Sequence, residues 1–290
     1  MEVRRFAAAA CASLLLFVGC FFPDLGDLTG GTPDAANDVS TDVATPDAGD
    51  AGDAGNAGDG GDASKPSYAS VVQSDNPTSY WRFGEKSVQL AAHDEMGVAD
   101  GTYASAGTTV GATGAIAGDP DTAVSFAAAG GSVTIGDVYP FAGTAPFTLE
   151  VWVSAAPPVD GGTTRRIASH RTGPPSYGWR LLLASDSQQV TFERWENDSV
   201  VASVGGALTS GFHHLVVAQD GTTLHFYVNG AEVDSAPAST TTAQSMPLVW
   251  GANSLGDGEF LEGTIDEAAI YDHALAQNRV QAHYLAGIGQ

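Results

Sequence analysis

The stretch Phe147-Thr148-Leu149-Glu150-Val151-Trp152-Val153 alternates strictly. Phe147, Leu149, Val151 and Val153 fall on one face, and Thr148, Glu150 and Trp152 on the other. A period of two is the signature of an extended strand with one face in a core. The same alternation recurs in Thr223-Leu224-His225-Phe226-Tyr227-Val228, and in shorter form in Leu181–Leu183 and Val190–Phe192. Asn229-Gly230 follows the second run and precedes Ala231-Glu232-Val233. Asn-Gly between two strands predicts a tight hairpin, because both turn residues need positive φ. Asp220-Gly221 marks the turn before it. Helix is sparse: one turn is expected over residues 69–74, before Pro77, and a short closing helix over 275–285, stopped by Gly287. Many strands separated by Gly, Asn and Asp turns predict an all-β fold. Two packed antiparallel sheets, a jelly roll with a short C-terminal helix, are expected over residues 68–290.

Composition agrees with that outline. The chain has 290 residues, 36 of them Gly, and only 16% are charged, which suits turn-rich β structure better than long surface helices. Eleven Lys+Arg stand against 34 Asp+Glu, for a net charge of −23. No basic cluster is visible in the sequence to hold a phosphate backbone, so nucleic acid is excluded as a partner. The acidity is uneven. Residues 21–65 hold ten Asp and one Lys, whereas residues 66–290 hold 23 acids and eight bases.

The N-terminus reads as an address. Arg4 and Arg5 precede an apolar run of 13 residues, Phe6 to Val18, well short of the roughly 20 residues that span a bilayer. A basic start and a short apolar core describe a secretory signal. Its end, Leu16-Phe17-Val18-Gly19-Cys20, resembles the bacterial lipoprotein signal. The resemblance implies cleavage after Gly19, a lipid on Cys20, and a chain exported to the outer membrane or cell surface. Phe17 stands where that signal usually has Leu. Cys11 and Cys20 are the two cysteines of the chain, so the exported domain is expected to contain neither a disulfide nor a thiolate metal site. Residues 20–67 then form an anchor and an Asp/Ala/Gly-rich tether. Such a tract buries too little apolar surface to offset its entropy, and a flexible coil of this length spans roughly 35–40 Å.

Five stretches occur in a recognisable order. They are Ser79-Tyr80-Trp81-Arg82-Phe83-Gly84-Glu85; Thr122-Ala123-Val124-Ser125-Phe126; the opening stretch 147–153; Phe212-His213-His214-Leu215-Val216 with Phe226-Tyr227-Val228-Asn229-Gly230; and Gly263-Thr264-Ile265-Asp266-Glu267-Ala268-Ala269-Ile270-Tyr271 with His283-Tyr284. Together they resemble the LamG-like, concanavalin A-like lectin/glucanase family across most of 68–290. Phe212 replaces a frequent Trp and Asn229 a frequent Asp, and both swaps keep the physical role. The resemblance implies a jelly roll that binds glycans or extracellular proteins from a concave sheet. It also implies one structural calcium ion, held by Asp94 in the early loop and Asp266 in the late strand. The alternative for Asp266 is a hydrogen bond to a neighbouring strand.

A glycosidase needs two carboxyls about 5–9 Å apart across one groove. Glu193 and Glu196 are oddly spaced, and Asp266 and Glu267 are adjacent, so neither pair is expected to share a strand face. No enzyme is expected, and a polysaccharide hydrolase or a structural envelope protein is the alternative. His213 and His214 diverge on a strand and predict one packed and one exposed histidine rather than a metal site. Gly256-Asp257-Gly258-Glu259 predicts a turn. For a sugar platform, Glu150 with Trp152 and Glu193 with Trp195 are the candidates, because an indole face stacks on a sugar ring and a carboxylate reads its hydroxyls. Trp179 alternates with Leu181 and Leu183 and is expected in the core.

Overall fold

The computed structural model describes residues 65–156, 162–185 and 188–290, all within the unit Gly60–Gln290. Cys20 and the expected tether up to residue 64 lie outside the described residues. The described chain begins with α1 (Tyr68–Ser74). The strands follow in chain order: β1 (Ser79–Trp81), β2 (Ala91–Ala92), β3 (Gly101–Tyr103), β4 (Thr108–Thr113), β5 (Thr122–Phe126), β6 (Val133–Gly136), β7 (Phe147–Ala155), β8 (Arg165–Arg171), β9 (Gly178–Leu183), β10 (Gln189–Glu196), β11 (Ser199–Ala207), β12 (His213–Gln219), β13 (Thr223–Val228), β14 (Ala231–Pro237), β15 (Leu248–Trp250) and β16 (Gly263–Tyr271). The closing helix is α2 (Gln277–Gly287). None of the described helices is long and apolar enough to cross a membrane.

The strands form two eight-stranded antiparallel sheets. The first has the order β14-β13-β12-β7-β16-β5-β4, with β1 added on β16. The second runs β11-β10-β9-β8-β15-β6-β3-β2. Non-sequential neighbours such as β7 beside β12 and β16 are what a jelly roll requires. The inward faces meet in one core that contains Phe147, Leu149, Val151 and Val153 from β7, and Leu224 and Phe226 from β13. Trp179, Leu181 and Leu183 come from β9, Val190 and Phe192 from β10. These are the apolar sets that the period-two reading selects, and each fully buried large side chain contributes about 1.5–3 kcal/mol. Asn229 (φ 53°) and Gly230 (φ 78°) make the expected hairpin, with Val228 opposite Ala231.

The helices are where expected but do more than close the chain. α1 and α2 lie on the outward face of the first sheet. There they build a second apolar cluster from Tyr68, Val72 and Val280 with Tyr80, Trp152, Val216, Tyr227 and Tyr271. Gly287 ends α2 as the sequence predicts. A Cβ at that position would lie 2.3 Å from Cζ2 of Trp152, so the missing side chain also lets the helix approach the sheet.

Candidate functional site

Glu150 and Trp152 share the outward face of β7, but that face is covered. Glu150 is 0% and Trp152 2% exposed, because α1 and α2 lie above them. A buried indole has no face to offer a sugar, so the platform role expected for this pair is corrected to a structural one. Glu150 is instead the hub of a buried network. Its carboxylate accepts from Tyr68 Oη at 2.9 Å, Tyr271 Oη at 2.8 Å and His283 Nδ1 at 3.0 Å, and pairs with His214 Nε2 at 2.7 Å. Trp152 Nε1 donates to Tyr68 Oη, 2.9 Å away. His283 continues through Nε2 to Asp75 on the far end of α1, which also pairs with Arg279. Burial alone would raise the Glu150 pKa, but His283 and His214 outweigh it and hold the carboxyl well below its usual range. Burial would lower His283, and Glu150 and Asp75 raise it instead. A partnered buried charge is stable, whereas an unpartnered one costs several kcal/mol.

His213 and His214 do diverge, but both are buried, at 7% and 0% exposure, which corrects the expectation of one exposed ring. His214 joins Glu150, while His213 meets Thr209 and Asn229 at the strand end. The covering helices are the reason.

Of the two residues expected to hold calcium, Asp94 has no lone pair free for a metal as it stands. Asp94 spends its carboxylate on five donors: Ser79 Oγ and the backbone N–H groups of Tyr80, Met96, Val98 and Ala99. A carboxylate has about four lone-pair sites, so none is left for an ion. Asp266 accepts from Ala115 N at 2.7 Å, the strand hydrogen bond of the alternative reading, and its Oδ1 is buried with no partner. Among the described residues no group of three or more His, Cys, Asp or Glu is placed to hold a metal.

Asp266 and Glu267 depart from the sequence expectation in another way. A bulge between Asp266 and Ala269, with Glu267 in the left-handed region at φ 51°, inserts an extra residue and turns Glu267 outward beside Asp266. Glu267 then meets Tyr80 Oη and the Arg82 guanidinium, which also pairs with Asp119 and Asp121. Burial, and then each other's charge for Asp266, raises both carboxyls. Both are sealed, at 2% and 1% exposure, so no substrate reaches them.

The outward face of the second sheet is different. Trp195 and Glu193 of β10 lie on it, as the alternation predicts, and Trp195 is the one tryptophan of the five that is not buried. Glu193 pairs with Nε of Arg180 and accepts from Trp195 Nε1 at 2.8 Å. Arg180 of β9 and Arg171 of β8 both reach the Trp195 ring, with guanidinium carbons 4.7 Å and 4.1 Å from its centroid. In the register, Gly178 sits between Arg171 and Trp195. It has no side chain, so the two long neighbours can meet across it. Arg166 completes the row at 1% exposure and pairs with Glu259 at 2.6 Å. Glu259 comes from the turn expected at 256–259, which folds onto this face. Ser254 beside it hydrogen-bonds Ser169 Oγ and Arg171 N. Burial first, then the nearby Arg180 charge, lowers Arg166 to about 10, and the same causes lower Arg171. The sequence reading missed these arginines. The signal was present: Arg180 alternates out of phase with Trp179 and Leu181.

Three comparisons place this geometry. The family model for "Concanavalin A-like lectin/glucanases superfamily" matches residues 127–281, more than half of the chain. Solved structures with the same fold include the binding domain of Paraclostridial mosquitocidal protein 1 (TM-score 0.55, 14% identity, 72% of this chain and 52% of that one). The binding domain of botulinum neurotoxin DC is similar both in complex with SialylT (0.56, 12%, 72% and 51%) and in complex with rat synaptotagmin II (0.55, 11%, 72% and 51%). The chain spans about half the length of these structures, and at such identity they establish the fold alone. No curated protein matches in sequence. With the two stacked antiparallel sheets, the family match identifies the chain as a member of the concanavalin A-like lectin/glucanase superfamily.

Proposed function

We propose that the chain is a lipid-anchored protein of a bacterial outer membrane or cell surface, whose domain binds a glycan or an extracellular protein. Cys20 carries the anchor, and the Asp-rich tract holds the domain away from the membrane. The observation that carries the binding reading is the state of the second sheet's outward face. It leaves Trp195 partly exposed among Arg171, Arg180 and Glu193, while the other outward face is closed by helices. The similar solved domains have SialylT and a synaptotagmin as their partners, which supports both ligand classes. The reading is of a binder rather than a hydrolase, because Glu193 and Glu259, the carboxylates on the arginine-bearing face, are each paired with an arginine.

The full chain in detergent micelles, probed on a glycan array and by surface cross-linking, should capture a ligand in at least one format. Silence in both overturns the binding reading. A fatty-acid analogue should label the native chain and not Cys20→Ala, and label retained by the variant would refute the anchor.

A further inference from the structure

We propose that the arginine row on the outward face of the second sheet recognises a sugar bearing a single negative charge, with its oxyanion on Arg171 and Arg180 and its ring against Trp195. The inference rests on the glycan-binding reading above and names the ligand class within it.

Cations are scarce in this domain and concentrated in one place. Of the eight Lys and Arg in residues 66–290, five are Arg165, Arg166, Arg171, Arg180 and Arg194, all on β8, β9 and β10. Two have other work. Arg165 donates to the Ala156 carbonyl, and Arg194 points inward, where it donates to Gln219, Thr241 and the Phe141 and Gly143 carbonyls. The remaining three share the outward face, close enough that Arg180 perturbs both Arg166 and Arg171.

Their carboxylate partners do not satisfy them. Glu259 takes Nη2 of Arg166, and Nη1 of this almost fully buried residue has no partner. Glu193 takes Nε of Arg180, and the terminal nitrogens of Arg180 carry no hydrogen bond among the described residues. Arg171 forms no ion pair there at all. Glu259, Glu193 and Asp198 attract it without contact, Ser176 Oγ takes its Nη2, and its Nε is buried without a partner. The donors a ligand can reach are the terminal nitrogens of Arg180 and Nη1 of Arg171, which carry no hydrogen bond among the described residues. One oxyanion there takes charge-assisted hydrogen bonds from both guanidinia and offsets the mutual repulsion of the three cations.

The aromatic makes the ligand a sugar rather than a bare anion. Trp195 lies against both guanidinia and is partly exposed, so a sugar ring that carries the oxyanion would pack beside it, as the glycan-binding reading requires. The charge of the domain limits the ligand to one oxyanion. With 23 acids against eight bases in residues 66–290, a long polyanion meets repulsion everywhere outside the row.

The test uses the full chain in micelles and a glycan array of matched sets: sialylated, glucuronylated and sulfated lactosamines, each singly charged, beside their neutral parents. Acidic members should bind at least tenfold more tightly than their parents. The carboxylated and sulfated arms show which oxyanion is preferred, and either one supports the proposal. Arg171→Gln and Arg180→Gln should each weaken the acidic ligand by about 10- to 100-fold, and Arg171→Gln, which breaks no ion pair, should leave the melting temperature near that of the native chain. Arg171→Lys, which keeps the charge and loses the fork, should fall between. If neutral parents bind as well as acidic members, the proposal is overturned while the glycan reading stands. Unchanged affinity in both glutamine variants overturns it too, as does competition by inorganic sulfate at the glycan's own affinity. If no glycan binds, proposal and glycan reading fall together.

Discussion

The two outward faces of this sandwich carry similar chemistry and use it in opposite ways. On the first sheet, Glu150, His214 and Trp152 are joined by Tyr68, Tyr271 and His283 into a network in which the carboxylate has four side-chain partners and water has no access. On the second sheet, a glutamate, a tryptophan and arginines again lie side by side, but Arg171, Arg180, Glu193 and Trp195 stay partly exposed. A cluster of polar and aromatic side chains therefore does not announce a binding site by its composition. What separates the two faces is whether other elements of the same chain cover the cluster.

The largest effect should come from emptying the saturated face. Glu150→Ala leaves two histidines and two tyrosines facing an uncompensated hole, at a cost of about 3–5 kcal/mol. Urea denaturation of this variant should show a folded population greatly reduced or absent, and a near-native midpoint would mean the network does not hold the helices. Next is Gly287→Val, which drives a side chain into Trp152. About 1–3 kcal/mol of overpacking is expected, with a change in tryptophan fluorescence as α2 lifts.

The pH dependence should be smaller and have a definite sign. Glu150 is held below its ordinary pKa, so its contribution is present above about pH 4.3 and is lost as pH falls through the depressed value. His283 is raised, so its contribution is present below about pH 6.5 and is lost as pH rises through the raised value. Asp266 and Glu267 are raised by burial, so the stability of their neutral folded forms is present below about pH 4 and is lost as pH climbs from there to their raised values. Stability should be greatest near about pH 4–5 and decline toward pH 9, and Asp266→Asn should flatten that decline. A urea midpoint that rises steadily from pH 5 to 9 would contradict this assignment. Least affected should be the open face. Arg171→Gln should change stability by no more than about 1 kcal/mol, because that residue makes no ion pair among the described residues. A larger loss would show that the second face is structural as well, and the contrast between the faces would dissolve.

Much of the fold was legible in the sequence because β structure with one buried face writes itself as a period of two. The inward sets of β7, β9, β10 and β13 follow that period residue by residue, and the Asn229-Gly230 hairpin follows from backbone sterics alone. The candidate site was half legible. Trp195 and Glu193 were placed on the correct face, whereas Glu150 and Trp152 were assigned to an open surface because the pattern cannot say what lies above an outward face. The Asp266–Glu267 juxtaposition was hidden for a local reason. A single left-handed residue at Glu267 inserts one extra position into β16, and strict alternation fails wherever a strand bulges.

The sequence by itself determined the strand faces, the hairpin turns and the acidic excess, since these depend on near neighbours in the chain and on composition. Only the tertiary structure decided which polar cluster is sealed and which is left open. That decision belongs to α1 and α2, about 200 residues apart in the chain, which meet over β7 and complete the shell of Glu150. Among the described residues no helix does the same for Arg171 and Arg180, and their guanidinia stay partly exposed with donors to spare.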